Sequence, residues 1–150
     1  MHITSPAFQN NTSIPSVYTC DGKNINPPLE FSDIPGNAKS LVLIMDDPDV
    51  PSQAGVTVWD HWVVFNIPPT VINIEEGKNP AGILGKNTRG DLAYGGPCPP
   101  DREHRYFFKL YALDTMVSLP AGATKKDVET VMQGHIIAQG ELIGLYNRQR

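Results

Sequence analysis

Leu41-Val42-Leu43-Ile44-Met45-Asp46-Asp47-Pro48-Asp49-Val50-Pro51 is the stretch on which the reading of this chain turns. Its first five residues form a short apolar run, the pattern of a buried strand. The acidic residues follow where that strand ends, so carboxylates are delivered to the lip of the core, where a cleft can form. Pro48 fixes its own φ and biases Asp47 toward an extended backbone. In extended backbone, residues i and i+2 point the same way, so Asp47 and Asp49 are expected to face one site together. Taken alone, Asp-Pro-Asp reads more naturally as an acidic turn. Two further stretches change that reading.

The first lies just downstream. Val58-Trp59-Asp60-His61-Trp62-Val63-Val64-Phe65-Asn66-Ile67 is rich in β-branched and aromatic residues and predicts a strand. Strict alternation puts His61, Val63, Phe65 and Ile67 on one face. Antiparallel pairing with the first strand would set Asp47 near His61, Met45 near Val63 and Leu43 near Phe65. A histidine on an apolar face is equally a satisfied core residue, so His61 alone decides nothing.

The second is Tyr94-Gly95-Gly96-Pro97-Cys98-Pro99-Pro100, which runs into His104-Arg105-Tyr106-Phe107-Phe108-Lys109-Leu110-Tyr111-Ala112-Leu113. The glycines let backbone N–H groups approach a ligand, and the prolines stiffen the loop. By itself this segment reads as a rigid surface turn, and it is not a phosphate-binding Walker loop, since no Gly-Lys-Ser/Thr follows. The strand after it places His104, Tyr106, Phe108, Leu110 and Ala112 on one face, with Arg105 and Lys109 on the other.

The remaining segments are shorter. Brief strands are expected near Ile3, at Val17-Tyr18-Thr19 and over 70–76, with an extended stretch at 26–31 and a turn at Ile34-Pro35-Gly36-Asn37. Thr124 opens a helix with Asp127 at the capping-box position, and Val128, Val131 and Met132 form its apolar stripe. Gly134 interrupts it, a last strand is expected over 141–146, and Arg148 and Arg150 form a basic tail.

With 150 residues the chain fits one domain, and its 40% hydrophobic content suits a soluble globular protein. Its 14 prolines and 13 glycines are spread between short apolar runs, which points to a mainly β fold. A net charge of −4 without a basic stripe argues against nucleic-acid binding. The first residues lack the charged start and apolar core of a signal peptide, and no segment is long enough to span a membrane, so a cytoplasmic location is expected. Cys20 and Cys98 could pair, but free thiols are the default in that compartment, and neither is expected to be needed for folding.

The set Asp47-Pro48-Asp49-Val50-Pro51, His61-Trp62, Gly95-Gly96-Pro97-Cys98-Pro99-Pro100 and His104-Arg105-Tyr106 resembles the phosphatidylethanolamine-binding protein (PEBP) family. It is most similar to the bacterial and archaeal branch often labelled Raf-kinase-inhibitor-like. Tyr18-Thr19-Cys20-Asp21-Gly22, Asn26-Pro27-Pro28-Leu29 and Gly134-His135 extend the likeness along nearly the whole chain. The resemblance implies a single domain over 1–150, an antiparallel Greek-key β-sandwich with one or two short helices, the main one near 124–133. It also implies a small anion pocket made by Asp47, Asp49, His61, Gly96, His104 and Tyr106.

The function expected is ligand binding without catalysis and without a cofactor. The ligand would be phosphate, phosphoethanolamine or an acetate-like anion, with a kinase or a serine protease as the protein target and a homodimer plausible among relatives. Backbone N–H groups at Gly95 and Gly96, the Tyr106 hydroxyl and protonated His61 and His104 would donate to the anion. Carboxylates raising both histidine pKa values would make binding tighter at low pH. The alternative is a hydrolase or metal-dependent enzyme using the Asp/His cluster. Against it, the sequence lacks a Gly-x-Ser-x-Gly elbow, a His-Glu-x-x-His helix and a Cys-x-x-Cys pair. Calcium binding by Asp46, Asp47 and Asp49 would lack the glycine and distal glutamate of an EF-hand loop.

Overall fold

The computed structural model describes residues 1–148. Its strands are β1 (His2–Thr4), β2 (Thr12–Ser13), β3 (Leu29–Ser32), β4 (Ser40–Asp47), β5 (Trp59–Ile67), β6 (Asn73–Ile74), β7 (Ile83–Leu84), β8 (His104–Leu113) and β9 (Ile136–Tyr146). One α-helix, α1 (Lys125–Met132), and two 3-10 turns, Ser16–Tyr18 and Ser52–Ala54, complete it. The fold is mainly β, in two sheets. A small sheet has the order β1-β3-β6, and a large one β2-β9-β8-β4-β5-β7. The pairings are antiparallel except that β2 runs parallel to β9.

β4 is central, between β8 and β5, and all eight of its residues are buried. Its unbroken apolar run reflects cover on both faces. Leu41, Leu43 and Met45 pack with Ile3, Leu29, Phe31 and Ile74 of the small sheet. Val42 and Ile44 pack the other way, with Val63, Phe65, Val128 and Met132 beneath α1. Each such buried side chain contributes about 1.5–3 kcal/mol relative to leaving it exposed. The helix starts where the sequence places it: Asp127 N donates to Thr124 Oγ1 (3.2 Å) and Thr124 N to Asp127 Oδ2 (3.1 Å), a reciprocal capping box. Gly134, at φ 80°, then turns the chain into β9. Among the described residues no helix is long and apolar enough to cross a membrane.

Several local expectations are corrected. Strict alternation along β5 fails, because the β4–β5 ladder shifts register twice. Met45 pairs with Trp62 but Asp46 pairs with Asp60, so His61 is an extra residue bulged out of the ladder. A second shift, between the Leu41–Ile67 and Leu43–Val64 pairs, falls where Asn66 takes φ 54°. Each bulge reverses the facing of the residues beyond it. Val63 and Phe65 therefore lie under α1, whereas Trp62, Val64 and Ile67 lie between the sheets. Trp59, not His61, is the partner of Asp47. Val17-Tyr18-Thr19 is not a strand, since Ser16–Tyr18 is a 3-10 turn, and β9 begins at Ile136, earlier than expected.

The cysteines are also corrected. Cys20 and Cys98 form a disulfide across a sequence separation of 78. The free-thiol expectation came from a compartment rule, which carries no information about distance. The fold brings the two residues together by a backbone bond beside them, Cys20 N to Pro97 O (3.1 Å). In the basic tail, Arg148 pairs with Asp21 (3.0 Å), and Arg150 lies outside the described residues.

Candidate functional site

A cavity of about 400 Å³ opens at the end of the sandwich where β4 finishes and β8 begins. Asp47 from β4, Asp60 and His61 from β5, and His104 and Tyr106 from β8 line it. Gly95, Gly96, Cys98, Pro99 and Pro100 form one wall, Val50, Pro51, Ala54 and Trp59 another, and Arg89 stands at the rim. The bulge at His61 makes this possible. An unbulged strand would send His61 to the helix side with Val63; instead its ring meets the Tyr106 ring edge-on at 5.3 Å. On the other flank of Tyr106 the His104 ring stacks at 6.3 Å.

Asp47 and His104 are both buried and form one unit. His104 Nδ1 lies 2.7 Å from Asp47 Oδ2, and Asp49 N donates to Asp47 Oδ1 at 2.7 Å. Burial raises the Asp47 carboxyl pKa, and the His104 bond opposes that rise without cancelling it. The second His104 nitrogen, Nε2, lies 2.6 Å from Asp101 Oδ1. That bond holds the Asp101 carboxyl below its ordinary value. Two ring nitrogens facing two carboxylates need two protons in those contacts, so His104, Asp47 and Asp101 form one proton-sharing unit.

His61 is different. Nδ1 sits 2.7 Å from the Gly95 carbonyl, which can only accept, so Nδ1 carries the proton and donates. Gly95 N donates back to the His61 carbonyl at 2.9 Å. Burial lowers the His61 pKa to about 4, and the Gly95 bond opposes that fall without cancelling it. The expectation that carboxylates would raise this pKa is therefore corrected: its partner is a carbonyl, and desolvation dominates. Tyr106 is buried, and burial followed by the Asp47 charge raises its pKa, so it is a neutral phenol. Its hydroxyl makes no hydrogen bond among the described residues.

Asp49 does not join Asp47. It accepts from Arg105 Nε (2.9 Å), Arg105 Nη2 (2.9 Å) and Arg105 N (2.9 Å), and it does not line the cavity. These bonds lower its pKa. The i, i+2 argument assumed extended backbone through Pro48, but the chain turns there, as the bond from Asp49 N to the Asp47 side chain records. Arg105 points to the side of β8 opposite His104, and Asp49 follows it. The loop donors are corrected too. Gly95 N is used by His61, and Gly96 N donates to Asn24 Oδ1 at 2.8 Å. A Cβ on Gly96 would come within 2.4 Å of the Tyr18 carbonyl oxygen, so this glycine serves close loop packing.

Sequence reasoning missed Asp60, Arg89 and Asp101. Asp101 had a usable mark: it stands three residues before His104 in a proline-braced turn. Arg89 had none, because nothing local ties 87–94 to the end of β5; that link is made by Thr88 N to Asp60 O (3.0 Å) and Asp60 N to Thr88 Oγ1 (2.7 Å).

The chain matches the phosphatidylethanolamine-binding protein family over residues 4–147. It belongs to that family. A UPF0098 protein of Methanothermobacter thermautotrophicus is 53% identical over 99% of both chains. The crystal structure of a Chlamydia trachomatis protein described as a PEBP homologue superposes with a TM-score of 0.95 at 48% identity, covering 99% of this chain and 97% of that one. Escherichia coli YbcL, described as a new member of the mammalian PEBP family, gives 0.89 at 29% identity, covering 99% and 98%. Of the residues the PEBP resemblance singled out, Asp47, His61, Gly96, His104 and Tyr106 line one cavity in this chain, and Asp49 stands behind it.

Proposed function

We propose that this PEBP-family protein binds a small oxyanion, such as phosphate or a phosphorylated head group, in the cavity between His61 and His104, without catalysing a reaction on it. The observation that carries the reading is the unengaged Tyr106 hydroxyl on the floor of a cavity whose one buried carboxylate beside it, Asp47, is already covered by His104. A bare Asp47 would repel an anion; here both of its oxygens are already engaged, one by His104 and one by the Asp49 N–H. Arg89 adds a cation at the rim. The same engagement speaks for binding over chemistry, because both His104 nitrogens are committed to carboxylates. Control of a kinase or inhibition of a serine protease would be an output of pocket occupancy, checked by assaying each target with and without phosphate.

Calorimetric titration with phosphate, phosphoethanolamine and acetate tests the reading, on the native protein and on Tyr106→Phe. Phosphate should bind, and loss of the phenol donor should weaken it about five- to tenfold, the worth of one hydrogen bond of about 1 kcal/mol. Absence of binding for all three ligands would remove the proposal.

A further inference from the structure

The donors and acceptors already spent inside the cavity restrict what can occupy it. The two glycine N–H groups are given away, and both His104 nitrogens face carboxylates. His61 gives its proton to Gly95, so its second nitrogen, Nε2, keeps a lone pair and has no partner among the described residues. Between the two rings, which lie 5.3 Å apart, what remains is one donor, the Tyr106 hydroxyl, beside one acceptor, His61 Nε2, while Arg89, Asn24 and Gln53 line the cavity elsewhere. A fully deprotonated oxyanion offers acceptors alone. It satisfies Tyr106 and sets its own lone pairs against that of the His61 nitrogen it covers. An oxyanion that still carries a proton satisfies both.

We propose that the pocket selects oxyanions bearing an acidic hydrogen, with the X–O–H group donating to His61 Nε2 and a bare oxygen accepting from Tyr106. Inorganic phosphate qualifies near neutral pH, because its dianion still holds a proton. Sulfate does not. A phosphomonoester qualifies only as its monoanion, which it loses near pH ~6. This selectivity rests on the oxyanion reading above and adds to it the hydrogen that the ligand must carry. A polar atom that a ligand covers without pairing is the usual source of strong rejection of an analogue that lacks one hydrogen.

The charged and titratable groups around His61 are Asp46 and Asp47 from β4, Asp60 beside it on β5, His104 and Tyr106 from β8, and Arg89 from the preceding loop. None of them replaces the missing proton at Nε2. The low pKa of His61 keeps that nitrogen an acceptor from about pH 5 upward.

The experiment is calorimetry at constant ionic strength with inorganic phosphate, methyl phosphate and sulfate, at about pH 5 and about pH 7.5. Phosphate should bind at both values, at least about tenfold more tightly than sulfate. Methyl phosphate should bind at pH 5 and lose about tenfold or more by pH 7.5. His61→Gln, whose amide can turn a donor into the cavity, should narrow the preference for phosphate over sulfate. If that variant does not fold, the native comparison of phosphate, methyl phosphate and sulfate decides alone. Equal binding of phosphate and sulfate overturns the selectivity and leaves the oxyanion reading standing. Methyl phosphate binding unchanged between the two pH values overturns it as well. Binding of none of the three overturns both.

Discussion

Acid should weaken this protein through one imidazole, and the size of the effect is set by where that ring sits. In the unfolded chain His61 titrates near ~6.5; in the fold burial lowers it to about 4. The unfolded state therefore takes up the proton first as pH falls. The stability tied to neutral His61 is complete above ~6.5, declines as pH drops, and is gone once pH passes the folded value. One pKa unit is worth about 1.4 kcal/mol, so the whole displacement amounts to roughly 3 kcal/mol, of which about 2 is lost by pH 5. Other groups titrate over the same range, so the measurement must be a difference. Urea unfolding of the native protein and of His61→Gln, from about pH 7.5 to about 4.5, supplies it. The native protein should lose about 2–3 kcal/mol more than the variant over that interval. Two stability curves running parallel within about 0.5 kcal/mol would refute the reasoning, because His61 would then not be a buried, neutral ring.

Reduction of Cys20–Cys98, or the double change Cys20→Ala and Cys98→Ala, should leave a folded protein with a lower melting temperature. A closed loop of 78 residues is worth up to about 4.5 kcal/mol in the chain-entropy model and typically 2–4, a fall of roughly 5–15 °C by calorimetry. Asp46→Asn should cost about 3 kcal/mol by urea unfolding, since it removes the shared partner of Lys109 (3.0 Å) and the largely buried Lys125 (3.1 Å). Gly96→Ala should cost about 1–3 kcal/mol and weaken phosphate binding together, because the added methyl must push the loop away from the Tyr18 carbonyl; a variant with native stability and native phosphate affinity would show that the loop is not packed against that carbonyl.

What sequence reasoning recovered depended on how local the cause was. β4, β5 and β8 were placed within a residue or so, because apolar and β-branched runs reflect burial directly. The α1 cap was found because both its partners lie within one turn. The facing of β5 was misjudged, since period-2 alternation assumes an unbroken ladder and two bulges break it. Asp49 was misassigned because its choice of Arg105 over the cavity is a tertiary competition between two partners. The disulfide rests on the approach of segments 78 apart in sequence, which no local pattern encodes. Histidine chemistry was the least accessible part. Whether an imidazole is held by a carboxylate or by a carbonyl separates His104 from His61, and both occur in similar strand contexts.

The adjacent residues Asp46 and Asp47 brace the cavity from both faces of β4. Neighbours on a strand point to opposite faces, and β4 is covered on both, so neither carboxylate can reach bulk water. Each must be neutralised where it stands. Asp47 does so toward the sandwich, where His104 and through it Asp101 are held. Asp46 does so toward the helix, where Lys109 and Lys125 converge on one of its oxygens. Lys125 is the first residue of α1, and it also lies 3.0 Å from Asp60 Oδ1, which lines the cavity from the far strand. The two demands thus tie β4 to β8 on one side and to β5 and α1 on the other, around the same opening. His61 is the bulged residue directly after Asp60, so the ion pair that anchors Asp60 also holds the bulge in place. A floor made of one donor and one acceptor discriminates between ligands only if neither can move to accommodate the wrong one, and this pair of buried carboxylates supplies that restraint from both sides of the sheet.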